Sequence, residues 1–373
     1  MAQPTILMTI LAFALMLGPL VLVHELGHYL VGRWCGVRVV AFSIGFGREI
    51  AGWTDRRGTR WKLSMLPLGG YVQFAGDMNP ASAGVDKIPL DIKEREGWFH
   101  FKPLWQRFLI VLAGPATNLI VAVLVFAAFN MAYGRLTVPP VVGRFSENSA
   151  AQAAGVQLGD RIVAIDGKAI AGFEQIPDAV KPFPGETVQL QVERSGHRLT
   201  IPVTLAAEMM KDGLGNSARI GRLGVGRPLG DTEVTHIRMG VVESFVTAGD
   251  QSLHLMGLIA TGLKQIVTGQ RSVREMSGPI KMAQYSGQTL QSGWLPFVYF
   301  AAFISINLAF INLLPIPALD GGHLAFYVAE AVRRKPLDAK SQEWAFRTGI
   351  AFVLALMVFV TINDLVPADL FGL

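Results

Sequence analysis

Cysteine is almost missing from this sequence: Cys35 is the single one in 373 residues. One thiol excludes an internal disulfide and a cysteine-built zinc knuckle. Charge is scarce too, at 16% of residues against 51% apolar, a balance that excludes an ordinary soluble enzyme. The polar remainder is still too large for a transporter made only of helices, so several membrane spans plus a polar domain are expected. No lysine or arginine precedes Arg33, so the basic start of a secretory leader is lacking and the first apolar segment reads as a retained span. The net charge of +5 comes without an aromatic-interleaved basic patch. It therefore reports loop topology at a membrane, and no nucleic-acid partner is expected.

From Ile6 to Val23 no residue is charged, and this run leads directly into His24-Glu25-Leu26-Gly27-His28. On a helix two histidines four apart share one face, where both imidazoles can hold one zinc ion. Glu25 is one step round from His24, within reach of a water on that metal, as a general base would be. A plainer reading has hydrogen-bonded core histidines with Glu25 as their partner. In lipid, however, burying three such groups without a metal leaves several kcal/mol uncompensated.

Four apolar segments can each cross a hydrocarbon core of about 30 Å at about 1.5 Å per residue. The expected organisation is a first transmembrane helix in residues 1–33 and a β-hairpin region in 34–103. A second transmembrane helix follows in 104–134, and a small α+β domain with a closing strand in 138–227. Amphipathic helices fill 228–293, a third transmembrane helix with an Asp-Gly segment fills 294–335, and a fourth helix occupies 343–364. Arg33, Arg38, Arg48, Arg56, Arg57, Arg60 and Lys62 follow the first span, and Arg333, Arg334, Lys335 and Lys340 precede the last. By the positive-inside rule both loops are cytoplasmic, which puts both termini and the middle region outside.

Within the first loop, Val37 to Gly47 and Arg60 to Met65 read as strands around an Asp55-Arg56-Arg57-Gly58 turn, and Leu68 to Phe74 as a further short strand behind Gly69-Gly70. Such a sheet is either a membrane-associated hairpin or a free edge that pairs with an unwound peptide. Pro80 to Glu96 reads as a polar loop. Gly114-Pro115-Ala116-Thr117-Asn118 interrupts the second span, and helix packing accounts for it as well as a catalytic part does. From Pro139, a strand at Val141 to Phe145, a helix at Ala150 and a strand at Arg161 follow one another, with strands from Thr187 and Arg198 and a closing strand in Gly221 to Gly226. This order, with the Ala154-Gly155-Val156-x-x-Gly159-Asp160-Arg161-Ile162 run, resembles a PDZ domain. Val241 to Val267 is periodic but too polar to span, and reads as a surface helix.

The third span runs into Asn312-Leu313-Leu314-Pro315-Ile316-Pro317-Ala318-Leu319-Asp320-Gly321-Gly322-His323. Two prolines so close cannot sit inside a regular helix, and irregular backbone at membrane depth lines a cavity or is buried in protein. Asp320 is thereby placed to complete a three-ligand zinc site with His24 and His28, leaving the fourth position for water. His323, one turn on, is the competing ligand. Asp364 lies beyond the last span.

Together, His24-Glu25-x-x-His28, Gly114-Pro115-x-x-Asn118, one PDZ-like domain and Asn312-Leu313-Leu314-Pro315-x-Pro317-x-Leu319-Asp320-Gly321-Gly322 resemble the site-2 protease family of intramembrane zinc metalloproteases, in its bacterial RseP branch. The resemblance implies a multi-pass α-helical fold with about four transmembrane helices, a cytoplasmic β-hairpin sheet and one extracytoplasmic PDZ-like domain. It implies one Zn2+ held by His24, His28 and Asp320, with Glu25 as base. It also implies Asn312 as a substrate contact, and a hairpin edge around Gly69 and Gly70 that holds the substrate as an added strand. The implied partners are single-span membrane substrates, membrane lipid and an upstream site-1 protease acting on the same substrate. The implied location is a bacterial inner membrane, with the site nearer its cytoplasmic side. Best-known relatives in this branch carry two tandem PDZ domains where this chain carries one, and Asn148-Ser149 stands where Ser-Pro is expected. A catalytically silent scaffold acting through the PDZ-like groove and a metal transporter are the competing readings, and neither requires Glu25 beside His24.

Overall fold

A computed structural model describes residues 4–76, 95–211, 217–228, 235–270, 272–273, 276–335 and 338–365. The polar loop expected at Pro80 to Glu96 lies outside the described residues but for its last two. Two compact units are formed, one from Met1–Phe126 with Ser277–Leu365, the other centred on Ala127–Met276. Among the described residues four helices are long and apolar enough to cross a membrane: Ile6–Trp34, Leu104–Tyr133, Trp294–Leu313 and Lys340–Leu365.

The first unit begins with α1 (Ile6–Trp34), whose N-terminal turn is capped by the Thr5 hydroxyl, 3.3 Å from Met8 N. Its buried residues Ala12, Met16, Leu20, His24 and His28 recur every fourth position, so a single stripe faces the protein. Ile10, Leu11, Leu15 and Leu30 on the other faces are exposed, as suits a helix solvated by lipid.

Next come β1 (Val39–Thr54) and β2 (Arg60–Phe74), joined by a turn in which Asp55 Oδ1 accepts from Arg57 N at 2.8 Å and Thr59 N at 3.0 Å. Both strands run longer than the sequence reading allowed: β1 continues past Gly47, and the Leu68 to Phe74 segment belongs to β2. The reason is curling. Phe42 pairs with Trp61 on one side and with Val72 on the other, so two strands make four side-by-side segments. Their order is 70–74, 39–44, 60–64, 49–54, and Gly70 to Phe74 forms one edge. Val37, Val39, Phe42 and Phe74 pack this sheet against Tyr29 of α1 and Ile110 of α2 (Leu104–Tyr133).

In the second unit, β3 (Arg135–Thr137) is followed by β4 (Arg144–Phe145), β5 (Arg161–Ile165), β6 (Lys168–Ala169), β7 (Thr187–Arg194) and β8 (His197–Thr204). Then come β9 (Ala206–Lys211), β10 (Ser217–Arg222), β11 (Val225–Gly226) and β12 (Thr235–Ile237). The main sheet has the order β6-β5-β7-β8, and the pairs β4-β11, β9-β10 and β3-β12 stand apart from it. Short helices Ala150–Ala153 and Gln175–Val180 cover a core of Val142, Ile162, Ile165, Leu190 and Val203. Asn148 takes a left-handed φ of 55°, which asparagine tolerates, and Ser149 after it caps the helix, its hydroxyl accepting from Gln152 N.

Two strand readings are corrected. The expected strand Val141 to Phe145 shrinks to its last two residues plus a bridge from Val141 to Arg161, because Gly143 is packed against Pro228, which has no N–H to pair. The expected closing strand splits at Gly224 (φ 77°) into β10, which pairs with β9, and β11, which pairs with β4. A long helix, α3 (Val241–Val267), completes the unit.

The first unit resumes with α4 (Pro279–Gln291), α5 (Trp294–Leu313), α6 (Asp320–Arg333) and α7 (Ala339–Leu365). Phe297 and Ile304 of α5 meet Ala12, Met16 and Leu20 of α1. The last helix starts at Ala339, ahead of the expected 343, and Asp364, read as lying beyond the span, sits in its last turn. That carboxylate is fully buried and accepts from Gly278 N at 2.8 Å and from Ile280 N and Lys281 N at 3.1 Å, so it caps the start of α4. A satisfied carboxylate does not end a helix.

Candidate metal centre

The apolar stripe of α1 ends in His24 and His28, 8% and 9% exposed. They can lie flat on α2 because glycines stand at the crossing. A Cβ on Gly27 would come 2.5 Å from the Ala113 carbonyl oxygen, and one on Gly114 would strike His28 Nε2 and come 2.8 Å from His24 Cε1. Every other side chain at position 114 would occupy the space of the imidazoles.

Asp320 arrives from the far end of the chain. After Leu313 the backbone leaves the helix through Pro315 and Pro317, and Ala318 takes φ 89° before α6 starts at Asp320. This bend is held closely: a Cβ on Gly322 would come 2.8 Å from Pro317 Cα, and one on Gly321 2.5 Å from the Leu313 carbonyl. Being first in α6, Asp320 projects from the helix start into the cluster. Its Oδ2 lies 3.1 Å from His24 Nε2 and 3.5 Å from His28 Nε2, and the two Nε2 atoms are 3.2 Å apart.

Those spacings test whether zinc fits. Donors about 2.0–2.1 Å from a tetrahedral zinc stand about 3.3 Å from one another. All three observed separations fall close to that value, so the residues present fit the ion. Orientation agrees for His28. His28 Nδ1 is 2.8 Å from the Ile110 carbonyl oxygen, which can only accept, so its proton is on Nδ1 and its Nε2 lone pair is free. His24 Nδ1 is 3.3 Å from Asn118 Nδ2, and Ser305 Oγ donates to the Asn118 backbone oxygen at 2.8 Å. This Asn118 contact is absent from the sequence reading. The Gly-Pro-x-x-Asn motif was its signal, but spacing alone does not say which neighbour the amide meets.

The remaining candidates fall into two groups. Glu25 is half-buried, and a Cβ on Gly70 would stand 3.3 Å from its Cγ and 2.7 Å from the Ser43 carbonyl oxygen. The edge of the hairpin sheet therefore passes beside Glu25. Gly69 takes φ 107° with the Phe46 ring against it. Asn312 is half-buried in the last turn of α5. His323 lies against Phe346, with ring centroids 6.0 Å apart and the planes tilted by 46°, and the three-residue metal cluster is formed without it.

Two buried imidazoles and a carboxylate around one point, with a glutamate alongside, define the class of zinc hydrolases. Comparison with known proteins narrows that class. The profile of Peptidase family M50 matches residues 12–356. A protein of Agrobacterium fabrum, provisionally named a zinc metalloprotease, is 43% identical over 360 residues, covering 95% of each chain. A similarly named protein of Rhizobium meliloti is 41% identical, covering 96% of each. Metalloprotease MmpA of Caulobacter vibrioides is 35% identical, covering 98% of this chain and 97% of its own. The chain belongs to peptidase family M50, the site-2 protease family. It is a zinc metalloprotease and, with its four apolar helices, a multi-pass membrane protein.

Proposed function

We propose that this chain is an intramembrane endopeptidase that cuts the transmembrane segment of single-span membrane proteins. The reading is carried by one observation: a carboxylate from the Pro-flanked bend lies against both histidines inside apolar helices, with Glu25 between that cluster and a sheet edge. His24, His28 and Asp320 hold the ion. An ion held there would supply Lewis acidity for the scissile carbonyl and for a water nucleophile near neutral pH. Glu25 takes the proton of the attacking water on a carboxylate oxygen and returns it to the leaving amine nitrogen.

A helical substrate hides its carbonyls in its own hydrogen bonds and must unwind before it is cut. The strand edge at Gly69 and Gly70, with Asn312, replaces those bonds by taking the unwound segment as an added strand. The α+β body of the second unit is read as a PDZ-like domain, supported by its four-stranded sheet flanked by two short helices. Its role in this reading is to restrict access of uncut proteins. The setting is regulated intramembrane proteolysis in a bacterial inner membrane. Both termini are periplasmic and the site is nearer the cytoplasm. The substrate is an anti-sigma factor already shortened by a site-1 protease, or a signal-peptide remnant.

Glu25→Gln tests this on a panel of single-span substrates. The variant is expected to keep about one zinc per chain and to lose about 100- to 10,000-fold in turnover. Unchanged cleavage by this variant would overturn the reading, and metal flux through liposomes would favour a transporter.

A further inference from the structure

The two histidines of the cluster are oriented by different kinds of partner. For His28 the partner is a carbonyl, which fixes the ring proton on Nδ1. For His24 it is the Asn118 amide, which can present either a donor or an acceptor. With the NH2 end forward, His24 Nδ1 must accept, its proton sits on Nε2, and that nitrogen cannot bind a metal. With Oδ1 forward, Nδ1–H donates and the Nε2 lone pair is free.

Little besides His24 decides which end faces it. Asn118 is wholly buried, its Oδ1 has no hydrogen-bond partner among the described residues, and Ser305 bonds its backbone rather than its side chain. The two ends of an amide are nearly equal in size, so a half-turn needs no repacking.

We infer that Asn118 is the positioning residue of His24, an amide that turns between two states of the centre. With its NH2 forward it keeps the proton on His24 Nε2, the tautomer that cannot ligate. With its oxygen forward it selects the tautomer that ligates, as the Ile110 carbonyl does permanently for His28. This rests on His24 being a zinc ligand.

The test measures zinc affinity of the full detergent-solubilised chain by competition with a chromophoric chelator, with thermal melting as the check on folding. Asn118→Leu keeps the volume and removes both amide ends, and is expected to weaken zinc binding about 10- to 100-fold. Asn118→Asp presents only acceptors and is expected to stay within about threefold of wild type. Ser305→Ala, on α5, removes the bond to the Asn118 backbone oxygen without touching His24, and is expected to bind as wild type does. Should Asn118→Leu fail to fold, Asn118→Ala gives the same comparison without added bulk. Wild-type affinity in the folded Leu or Ala variant would overturn the inference. So would an Asp variant as weak as the Leu variant, or an equal loss in Ser305→Ala. If His24→Ala leaves affinity unchanged, what fails is the ligand set itself, a result distinct from the others.

Discussion

Asp160 and Asp320, one in each unit, are both carboxylates withdrawn from water, and their surroundings treat them in opposite ways. Asp160 is saturated. Its oxygens take Arg194 Nε at 2.8 Å, Arg194 Nη2 at 2.7 Å and the Gln157 N–H at 2.8 Å. The Arg194 guanidinium holds its carboxyl below the usual carboxylate range. Asp320 instead faces two imidazole nitrogens whose other ring nitrogens are already engaged. Asp364, in the same unit as Asp320, behaves like Asp160, with three backbone donors and Lys281 at 3.7 Å. The contrast is therefore not between membrane and water. A carboxylate whose two oxygens both accept from donors is structural, whereas one converging with other lone pairs on a common point needs a cation there.

Removing each carboxylate sharpens that comparison. Asp320→Ala carries the largest expected effect: zinc per chain falls to near zero by metal analysis and cleavage drops at least about a thousandfold, while the fold persists. Gly114→Ala comes next, since its Cβ would intrude on both imidazoles. Zinc affinity should fall about 10- to 100-fold without loss of any ligand. Binding as in wild type would mean that the crossing of α1 and α2 can widen freely.

Asp160→Asn should leave zinc untouched and destabilise the α+β body by about 2 kcal/mol, read as faster amide exchange in β5 and β7. Acid has the same effect by linkage. Because the native carboxyl titrates below the unfolded one, its stabilisation is complete at neutral pH. It fades as pH falls past about 4 and is gone below the native value. Asp160→Asn should flatten that part of the pH profile. The smallest effect belongs to Arg222→Ala, which breaks an ion pair with Glu208 in which both side chains are 49% exposed. A change above about 0.5 kcal/mol there would show that the β9-β10 hairpin matters more than its exposure implies.

How legible this protein is from its residues varies by element. The buried stripe of α1 can be written down from one helical period, and His24 and His28 fall on it as its next members. The curled hairpin cannot, because Phe42 pairs on both sides and local alternation never reveals a second partner. The place of Asp364 was misjudged for a similar reason. Asp364 looks like a charge that ends a span until its acceptors are found filled by the start of α4.

The order of residues by itself determined which groups were available: an uncharged run ending in two histidines and a glutamate, a Pro-flanked aspartate far away, and a small polar domain between them. Those facts depend on side-chain chemistry and local period, which a linear text carries. Tertiary structure alone decided that Asp320 reaches both imidazoles at ligand spacing, that Gly114 makes room for the rings and that Asn118 faces His24. Contacts between distant segments depend on how helices cross and where a backbone bends, and those are properties of the packed chain.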